Sequence, residues 1–233
     1  MNTTKSRIAF ASDFHLGHDR EFIYGARGFN SIHEHNRWIL QGLNAEIGYD
    51  DTLWYLGDFS LNTTVEQVLE LFRRINCNNI CYIWGNHESS TAKIYREAKK
   101  HAYPSVPEEV EVYPVATAYP VSAKNITFLG NVHEAVIHHQ RIVMQHYAPH
   151  VWNKSHRGAW ALCGHSHGNN KEILPQARIG KVLDVGLDVA RSYHRKPFFW
   201  FEDIVKIMNQ KEVAPTGIKT TDGDHRGAAV EED

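Results

Sequence analysis

The chain has 233 residues, a formal net charge of -2 and a hydrophobic content of 42%, values that are ordinary for a globular protein with a substantial core. The charge gives no indication of an extended polyanion-binding surface, although a local basic patch is compatible with it. Histidine is the unusual component, with 16 residues against 3 cysteines. Because imidazole is the commonest metal ligand and titrates nearest neutral pH, this excess favours metal or acid–base chemistry.

Cysteine usage and the N-terminal segment bear on the compartment of the protein. The three cysteines are odd in number and scattered, which predicts no disulfide framework and favours a reducing cytosol. The opening MNTTKSRIAFASD contains no signal-peptide core, and no apolar run approaches the roughly 18–20 residues of a membrane span. We therefore expect a cytoplasmic protein without a membrane segment, and the oligomeric state stays open.

The first hundred residues alternate between strand-like and helix-like segments. Short apolar runs predict strands at 7–12, 52–56 and 80–84, and helical periodicity predicts helices at 31–47, 65–75 and 91–100. Either Thr63 with Glu66 or Thr64 with Gln67 offers a capping box for the second helix. Such alternation is typical of a parallel sheet with right-handed crossovers, in which functional groups collect at the carboxyl ends of strands.

The second half of the chain has a different character. The proline-containing segment 101–120 predicts a surface excursion, and alternation over 125–138 and 141–145 predicts a hairpin. Further strands are expected at 160–163 and 181–185, with a last helical turn at 204–208. We expect one domain over residues 1–208 and a disordered polar tail over 209–233.

Residues 162–168 read LCGHSHG and place His165 and His167 two positions apart between glycines. In an extended segment such residues share one face, and the glycines would allow other chain segments to approach closely. A polar surface turn that happens to contain two histidines explains the same letters about equally well. The rest of the sequence has to separate the two interpretations.

Residues of metal-ligand type follow the predicted strands. Each could be a turn former when taken singly, but together they form a mixed nitrogen and oxygen set without thiolate, which suits Mn, Fe, Zn or Ni. The set is too large for one ion, whereas a pair of ions about 3.5–4 Å apart with a bridging carboxylate would use all of it. The residues are Asp13, His15, Asp58, Asn86, His146, His165 and His167.

The motif order D-x-H, G-D, G-N-H-[E/D], H, G-H-x-H resembles the calcineurin-like metallophosphoesterase superfamily, and most of all its small single-domain bacterial and phage-type members. The motifs span residues 13–167, and VGLDVARSYHRKPFFWFEDI resembles the closing strand and helix of those members, so the resemblance covers roughly residues 7–208. It implies an α/β fold: a two-sheet β-sandwich flanked by α-helices in αββα layers.

The resemblance also implies a role for each motif residue. The residues implied to bind the first metal are Asp13, His15 and His167, those for the second are Asn86, His146 and His165, and Asp58 would bridge the two. His87 would not bind metal but would stabilise the phosphoryl group and help to protonate the leaving oxygen. Glu88 would orient His87 from behind.

The implied activity is hydrolysis of a phosphodiester, or else a phosphomonoester, by in-line attack of a hydroxide that bridges two divalent ions. Manganese is the first expectation, with Fe, Zn or Ni as alternatives. A nuclease is a sub-case that the composition does not specially support.

The alternative is a non-catalytic scaffold that binds partner proteins. Such scaffolds typically lose ligands or the catalytic histidine, whereas every position is filled here. The substrate stays open, as do the roles of His18, His150, Lys154, His156 and Arg157.

Overall fold

The computed structural model describes residues 6–102, 118–121, 124–169 and 180–214. These ranges contain ten strands, six α-helices and one 3-10 helix. The strands are β1 (Ile8–Ala11), β2 (Thr52–Tyr55), β3 (Asn79–Tyr82), β4 (Ala118–Val121), β5 (Lys124–Phe128), β6 (Val132–Ile137), β7 (Gln140–Gln145), β8 (Trp160–Cys163), β9 (Val182–Asp184) and β10 (Phe199–Trp200). The α-helices are α1 (Glu21–Tyr24), α2 (Ile32–Asn44), α3 (Val65–Arg73), α4 (Ser89–Ala102), α5 (Leu187–His194) and α6 (Phe201–Asn209), and the 3-10 helix is Ser155–Arg157.

The first sheet has six strands in the order β10-β1-β2-β3-β5-β4. Its four central strands run parallel to one another, and its two edge strands, β10 and β4, pair antiparallel to their neighbours. The predicted parallel arrangement of the first three strands is therefore confirmed. All four parallel strands deliver their carboxyl ends to the same edge of the sheet, where the motif loops begin.

Each face of the first sheet packs against a separate hydrophobic core. Ala11 of β1 belongs to the core shared with Leu43 of α2 and Phe72 of α3. Phe10, the residue before it, points to the opposite core, which Leu162 of the second sheet also lines. Because parallel strands buried on both faces need apolar residues at every position, this packing explains why the N-terminal strands read as continuous apolar runs.

The second sheet has four strands in the order β6-β7-β8-β9. β6 and β7 form an antiparallel hairpin, and its two turn residues, His138 and His139, both adopt positive φ. The remaining pairs, β7 with β8 and β8 with β9, are parallel. Together, the two sheets and the helices confirm the expected two-sheet β-sandwich flanked by α-helices.

The prediction of one hairpin arm over 125–138 is wrong, because this stretch contains two strands in different sheets. β5 pairs with β3 in the first sheet, whereas β6 belongs to the second, and Gly130 with φ 84° lies between them. Similarly, the end of the expected surface excursion over 101–120 is a strand, since β4 pairs with β5. Residues 103–117 of that excursion lie outside the described residues.

The C-terminal helix is longer than the single turn predicted at 204–208, because α6 runs over Phe201–Asn209 and buries Phe201, Ile204 and Met208. The expected disordered tail falls mostly on residues 215–233, which are outside the described ranges. Among the described helices, none combines the length and apolarity that crossing a bilayer requires.

A capping box at the start of α3 settles which of the two candidate pairs forms. The Thr64 hydroxyl accepts from the Gln67 N–H at 3.3 Å, and the Gln67 side chain accepts from the Thr64 N–H at 2.8 Å. We expect Thr64→Ala to lower the free energy of unfolding by about 1 kcal/mol, as measured by urea denaturation. Thr64→Ser, which keeps the accepting oxygen, should stay near wild type. Equal losses in both variants would contradict this.

Candidate metal centre

The motif loops converge because strand ends from both sheets are tied together by backbone hydrogen bonds. The Asp13 N–H donates to the Gly57 carbonyl at 3.0 Å, which joins the loop after β1 to the loop after β2. The Gly164 N–H donates to the His146 carbonyl at 2.9 Å and joins the loops after β7 and β8. The Leu187 N–H, just after β9, donates to the Ser12 carbonyl, just after β1, at 3.0 Å and joins the two sheets, so the predicted strand-end residues meet at one edge of the sandwich.

Two groups of side chains meet at this edge with the spacing of metal ligands. Within each group the potential ligand atoms lie within 4.8 Å of one another. The first group is Asp13, His15 and His167, and the second is Asp58, His146 and His165. Nitrogen and oxygen donors of this kind suit borderline divalent cations.

Asp58 connects the two groups. Its Oδ2 atom lies 3.7 Å from Nε2 of His15 in the first group and 3.5 Å from Nε2 of His146 in its own group. One carboxylate oxygen therefore faces a histidine from each side. That geometry is the one a bridging carboxylate would need.

Asn86 joins the second group through its amide oxygen. Nδ1 of His146 lies 2.7 Å from the Leu56 carbonyl, so this nitrogen carries a proton and donates it. Nε2 then donates a second proton to Oδ1 of Asn86 at 2.9 Å, or, in the neutral ring, has its lone pair facing that of the amide oxygen. Burial lowers the pKa of His146, but its hydrogen bond to Asp58 and the charges of nearby carboxylates outweigh burial and raise it. A cation bound by Asp58, Asn86 and His146 would accept the lone pairs of these three side chains.

His15 provides a direct test of whether a cation fits. Its side chain is buried, at 3% exposure, yet neither ring nitrogen has a hydrogen-bond partner in the described part of the chain. Burial lowers the pKa of His15 and raises that of Asp13, so both are driven towards their neutral forms. Because buried polar groups are normally paired, these two side chains fit a divalent cation between them.

The backbone at the candidate ligands is strained. Asp13, His15, Asp58, His165 and His167 all have φ between 50° and 68°, a left-handed region that non-glycine residues seldom occupy, although Asp and His are enriched there. Such conformations cost on the order of 1–3 kcal/mol each and cluster at functional sites. Of the two conformations that the sequence leaves open for the GHSH segment, the extended one is therefore not the one formed. Its two histidines also join different groups rather than sharing one face.

Two glycines allow the loops to approach this closely. A Cβ atom on Gly164 would lie 2.2 Å from the Ser12 hydroxyl oxygen and 2.4 Å from Oδ2 of Asp13. A Cβ atom on Gly85 would lie 2.1 Å from Oδ1 of Asp58. The predicted close approach of other chain segments to the LCGHSHG glycines is thus confirmed at Gly164.

Glu88 holds the loops together and makes its hydrogen bonds away from the His87 side chain. Its Oε1 atom accepts from the backbone N–H groups of Asp58 at 2.8 Å and Gly85 at 3.1 Å, and its Oε2 atom accepts from the Tyr82 hydroxyl at 2.7 Å. Burial raises the pKa of Glu88 to about 7. The carboxylate thus fixes the backbone that carries Asp58, and the expected orientation of His87 by Glu88 stays a prediction.

His87 lies beside the two groups but belongs to neither. Its backbone N–H donates to Oδ1 of Asp58 at 2.9 Å, and its ring centroid is 5.8 Å from that of His15. His18 is buried, and its ring lies 5.9 Å from that of His15, so this residue also borders the site. Tyr147, whose placement the sequence does not predict, has its ring 4.4 Å from that of His165.

A cleft of about 380 Å³ opens beside the second group. It is bordered by Asn86 and His146, with Trp84, Val132 and Tyr147 among its other lining residues. The cleft thus borders two of the side chains at the second group.

The other basic residues that the sequence leaves open lie on the connection between β7 and β8. His150 is exposed, and His156 and Arg157 are exposed within the 3-10 helix. Lys154 has a left-handed backbone and accepts from the Arg157 N–H through its carbonyl.

Sequence reasoning missed three charged residues around the site. Asp184, at the end of β9, accepts from the Ser166 hydroxyl at 2.6 Å and from the Gly186 N–H at 2.7 Å. Its position at a strand end is the same signal that identified Asp13. Asp188 and Arg27 pair with each other, and neither stands directly at the end of a predicted strand.

The chain is similar to known proteins in sequence and in fold. A family model described as the calcineurin-like phosphoesterase superfamily domain matches residues 7–179. The Gene 66 protein of Mycobacterium phage L5 is 34% identical over 64 residues, which is 27% of this chain and only 30% of that protein's length. A solved structure of a protein of unknown function from Aquifex aeolicus has a TM-score of 0.59 at 15% identity, over 87% of this chain and 100% of that chain. A solved archaeal phosphodiesterase has a TM-score of 0.40 at 14% identity, over 84% and 98%.

The contact between Gly85 and Asp58 generates a prediction about metal affinity. In Gly85→Ala, the new Cβ atom would push the Asp58 carboxylate out of the position that faces both groups. We expect weaker Mn²⁺ binding in isothermal titration calorimetry, by on the order of 10-fold or more. Gly48→Ala is the control, because its nearest atom would be at an ordinary 3.6 Å. Unchanged affinity in Gly85→Ala would show that this contact does not fix Asp58.

Proposed function

The chain belongs to the calcineurin-like phosphoesterase superfamily, and from that premise we propose that it is a dinuclear metal-dependent phosphohydrolase. The proposed substrate is a phosphodiester in preference to a phosphomonoester. The proposed cofactors are two divalent ions, manganese first, with Fe, Zn or Ni as alternatives. The observation that supports the proposal most strongly is the single Asp58 oxygen that faces histidines of both ligand groups.

Each proposed ligand has a donor atom available at the site. The first ion would be held by Asp13, His15 and His167, the second by Asn86, His146 and His165, and Asp58 would contact both. Two divalent ions in these positions would polarise the phosphoryl oxygens and lower the pKa of a water molecule, so that a nucleophile is available near neutral pH.

The protein's own residues complete the proposed chemistry. His87 is proposed to donate a hydrogen bond to the phosphoryl group and a proton to the leaving oxygen, because its ring lies next to His15 without joining either ligand group. The amide of Asn86 adds no negative charge, which leaves the site more positive towards an anionic substrate. Asp58, Asp13 and the histidines would orient the ions and thereby the phosphate.

The alternative of a non-catalytic scaffold is distinguished by a direct assay. We expect metal-depleted protein to hydrolyse bis-p-nitrophenyl phosphate once Mn²⁺ is added, as followed by release of p-nitrophenolate. p-Nitrophenyl phosphate in a parallel assay compares the monoester, and short oligonucleotides test the nuclease sub-case. Absence of turnover with Mn, Fe, Zn and Ni alike would contradict the proposal and favour the scaffold.

Replacing His87 separates metal binding from chemistry. We expect His87→Ala to retain two ions and to lower kcat by on the order of 10²–10⁴, because an acid or hydrogen-bond donor to the phosphoryl group is lost. Metal content is measured by plasma mass spectrometry and kcat by the same diester assay. His33→Ala, at an exposed position of α2, is the control. Full activity of His87→Ala would remove this residue from the proposed mechanism.

A further inference from the structure

An ion pair between Arg27, in the segment that joins α1 to α2, and Asp188 of α5 lies directly behind His167. Oδ2 of Asp188 lies 2.7 Å from Nδ1 of His167. Nδ1 is also 3.1 Å from Nη2 of Arg27, but both hydrogens of that Nη2 are directed to Asp188 and Asp13. Because a carboxylate only accepts hydrogen bonds, Nδ1 carries the proton and donates it to Asp188. Nε2 therefore faces the first group, 4.0 Å from Oδ1 of Asp13. A carboxylate on the far nitrogen is a common way to set the orientation of a metal-binding histidine.

Arg27 holds Asp188 in a two-pronged contact. Its Nε atom donates to Oδ1 at 2.9 Å and its Nη2 atom to Oδ2 at 2.8 Å. Arg27 is only 5% exposed, whereas the Asp188 side chain is 24% exposed, so the guanidinium is buried and the carboxylate is partly buried. The planar guanidinium fixes the carboxylate plane. The pair has no net charge and thus orients His167 without adding negative charge near the site.

The Arg27 guanidinium also donates hydrogen bonds to the loop after β1. Nη2 donates to the Asp13 carbonyl at 2.9 Å and Nη1 donates to the Phe14 carbonyl at 3.2 Å. This loop has positive φ at Asp13 and His15, so its conformation needs support from outside. Arg27 itself is braced by Arg191 of α5, which donates to the Arg27 carbonyl.

The second ligand group has a different kind of support. Nδ1 of His146 donates to the main-chain carbonyl of Leu56, a contact that depends on no other side chain. The orientation of the first group therefore depends on two side chains far apart in sequence, whereas that of His146 depends on the fold.

We propose that Arg27 and Asp188 are positioning residues for the first metal: they orient His167 and hold the Asp13 loop, and their loss releases the first ion while leaving the second. This inference rests on the proposed function, since it concerns the ligand group to which that function assigns the first ion. Neither residue is proposed to contact substrate.

The test compares metal content and affinity in matched variants. Metal-depleted wild type, Asp188→Asn and Arg27→Lys are titrated with Mn²⁺ by calorimetry, and bound ions are counted after dialysis. We expect two ions in the wild type. In both variants we expect the first site to weaken by on the order of 10–100-fold, with the second unchanged. His167→Ala serves as the reference for loss of the first site. Asp203→Asn removes the carboxylate 3.7 Å from His194 on the other side of α5 and should keep both ions.

Two readouts separate this inference from a general loss of structure and from the proposed function. Electron paramagnetic resonance should show a spin-coupled manganese pair in the wild type and an isolated ion in the variants. Two ions with wild-type affinity in Asp188→Asn, or in Arg27→Lys if the first variant does not fold, would overturn the inference and leave the proposed function intact. Equal weakening of both sites would also overturn it. A wild type that binds fewer than two ions would overturn the proposed function itself.

Discussion

Several hydrogen bonds hold Asp58, and the position of its carboxylate determines the arrangement of the whole site. Its N–H donates to Glu88, its carbonyl accepts from the Tyr55 hydroxyl, and its Oδ1 atom accepts from the His87 N–H. Only Oδ2 is left to face one histidine from each ligand group. Contacts from strand β2 and from the loop after β3 thus determine one oxygen atom, which is the kind of preorganisation that a shared metal ligand requires.

The fold bears an energetic cost for this arrangement. Five candidate ligands sit in left-handed backbone conformations, and a methyl group at Gly85 or Gly164 would collide with the carboxylates themselves. Burial also pushes Asp13 and His15 towards neutral forms. Strain and desolvation of this kind persist where the surrounding structure over-determines them. The two cores on either side of the first sheet supply that rigid surrounding.

The sequence predicts the parts of this site that depend on local pattern. Asp13 and Asp58 can be identified because an apolar strand stops there, and parallel strands end at one edge of a sheet. Arg27 and Asp188 are 161 positions apart in the sequence, so no local pattern predicts that they pair. The division of 125–138 between two sheets also escapes prediction, because alternation describes a strand but not its partner, and only Gly130 marks the crossing.

The central claim is that Asp58 is shared by two cations, and a crystal grown with Mn²⁺ and measured at the manganese absorption edge tests it most directly. We predict two anomalous peaks about 3.5–4 Å apart, with the Asp58 carboxylate in contact with both. A single peak, or two peaks of which Asp58 contacts only one, would contradict the account.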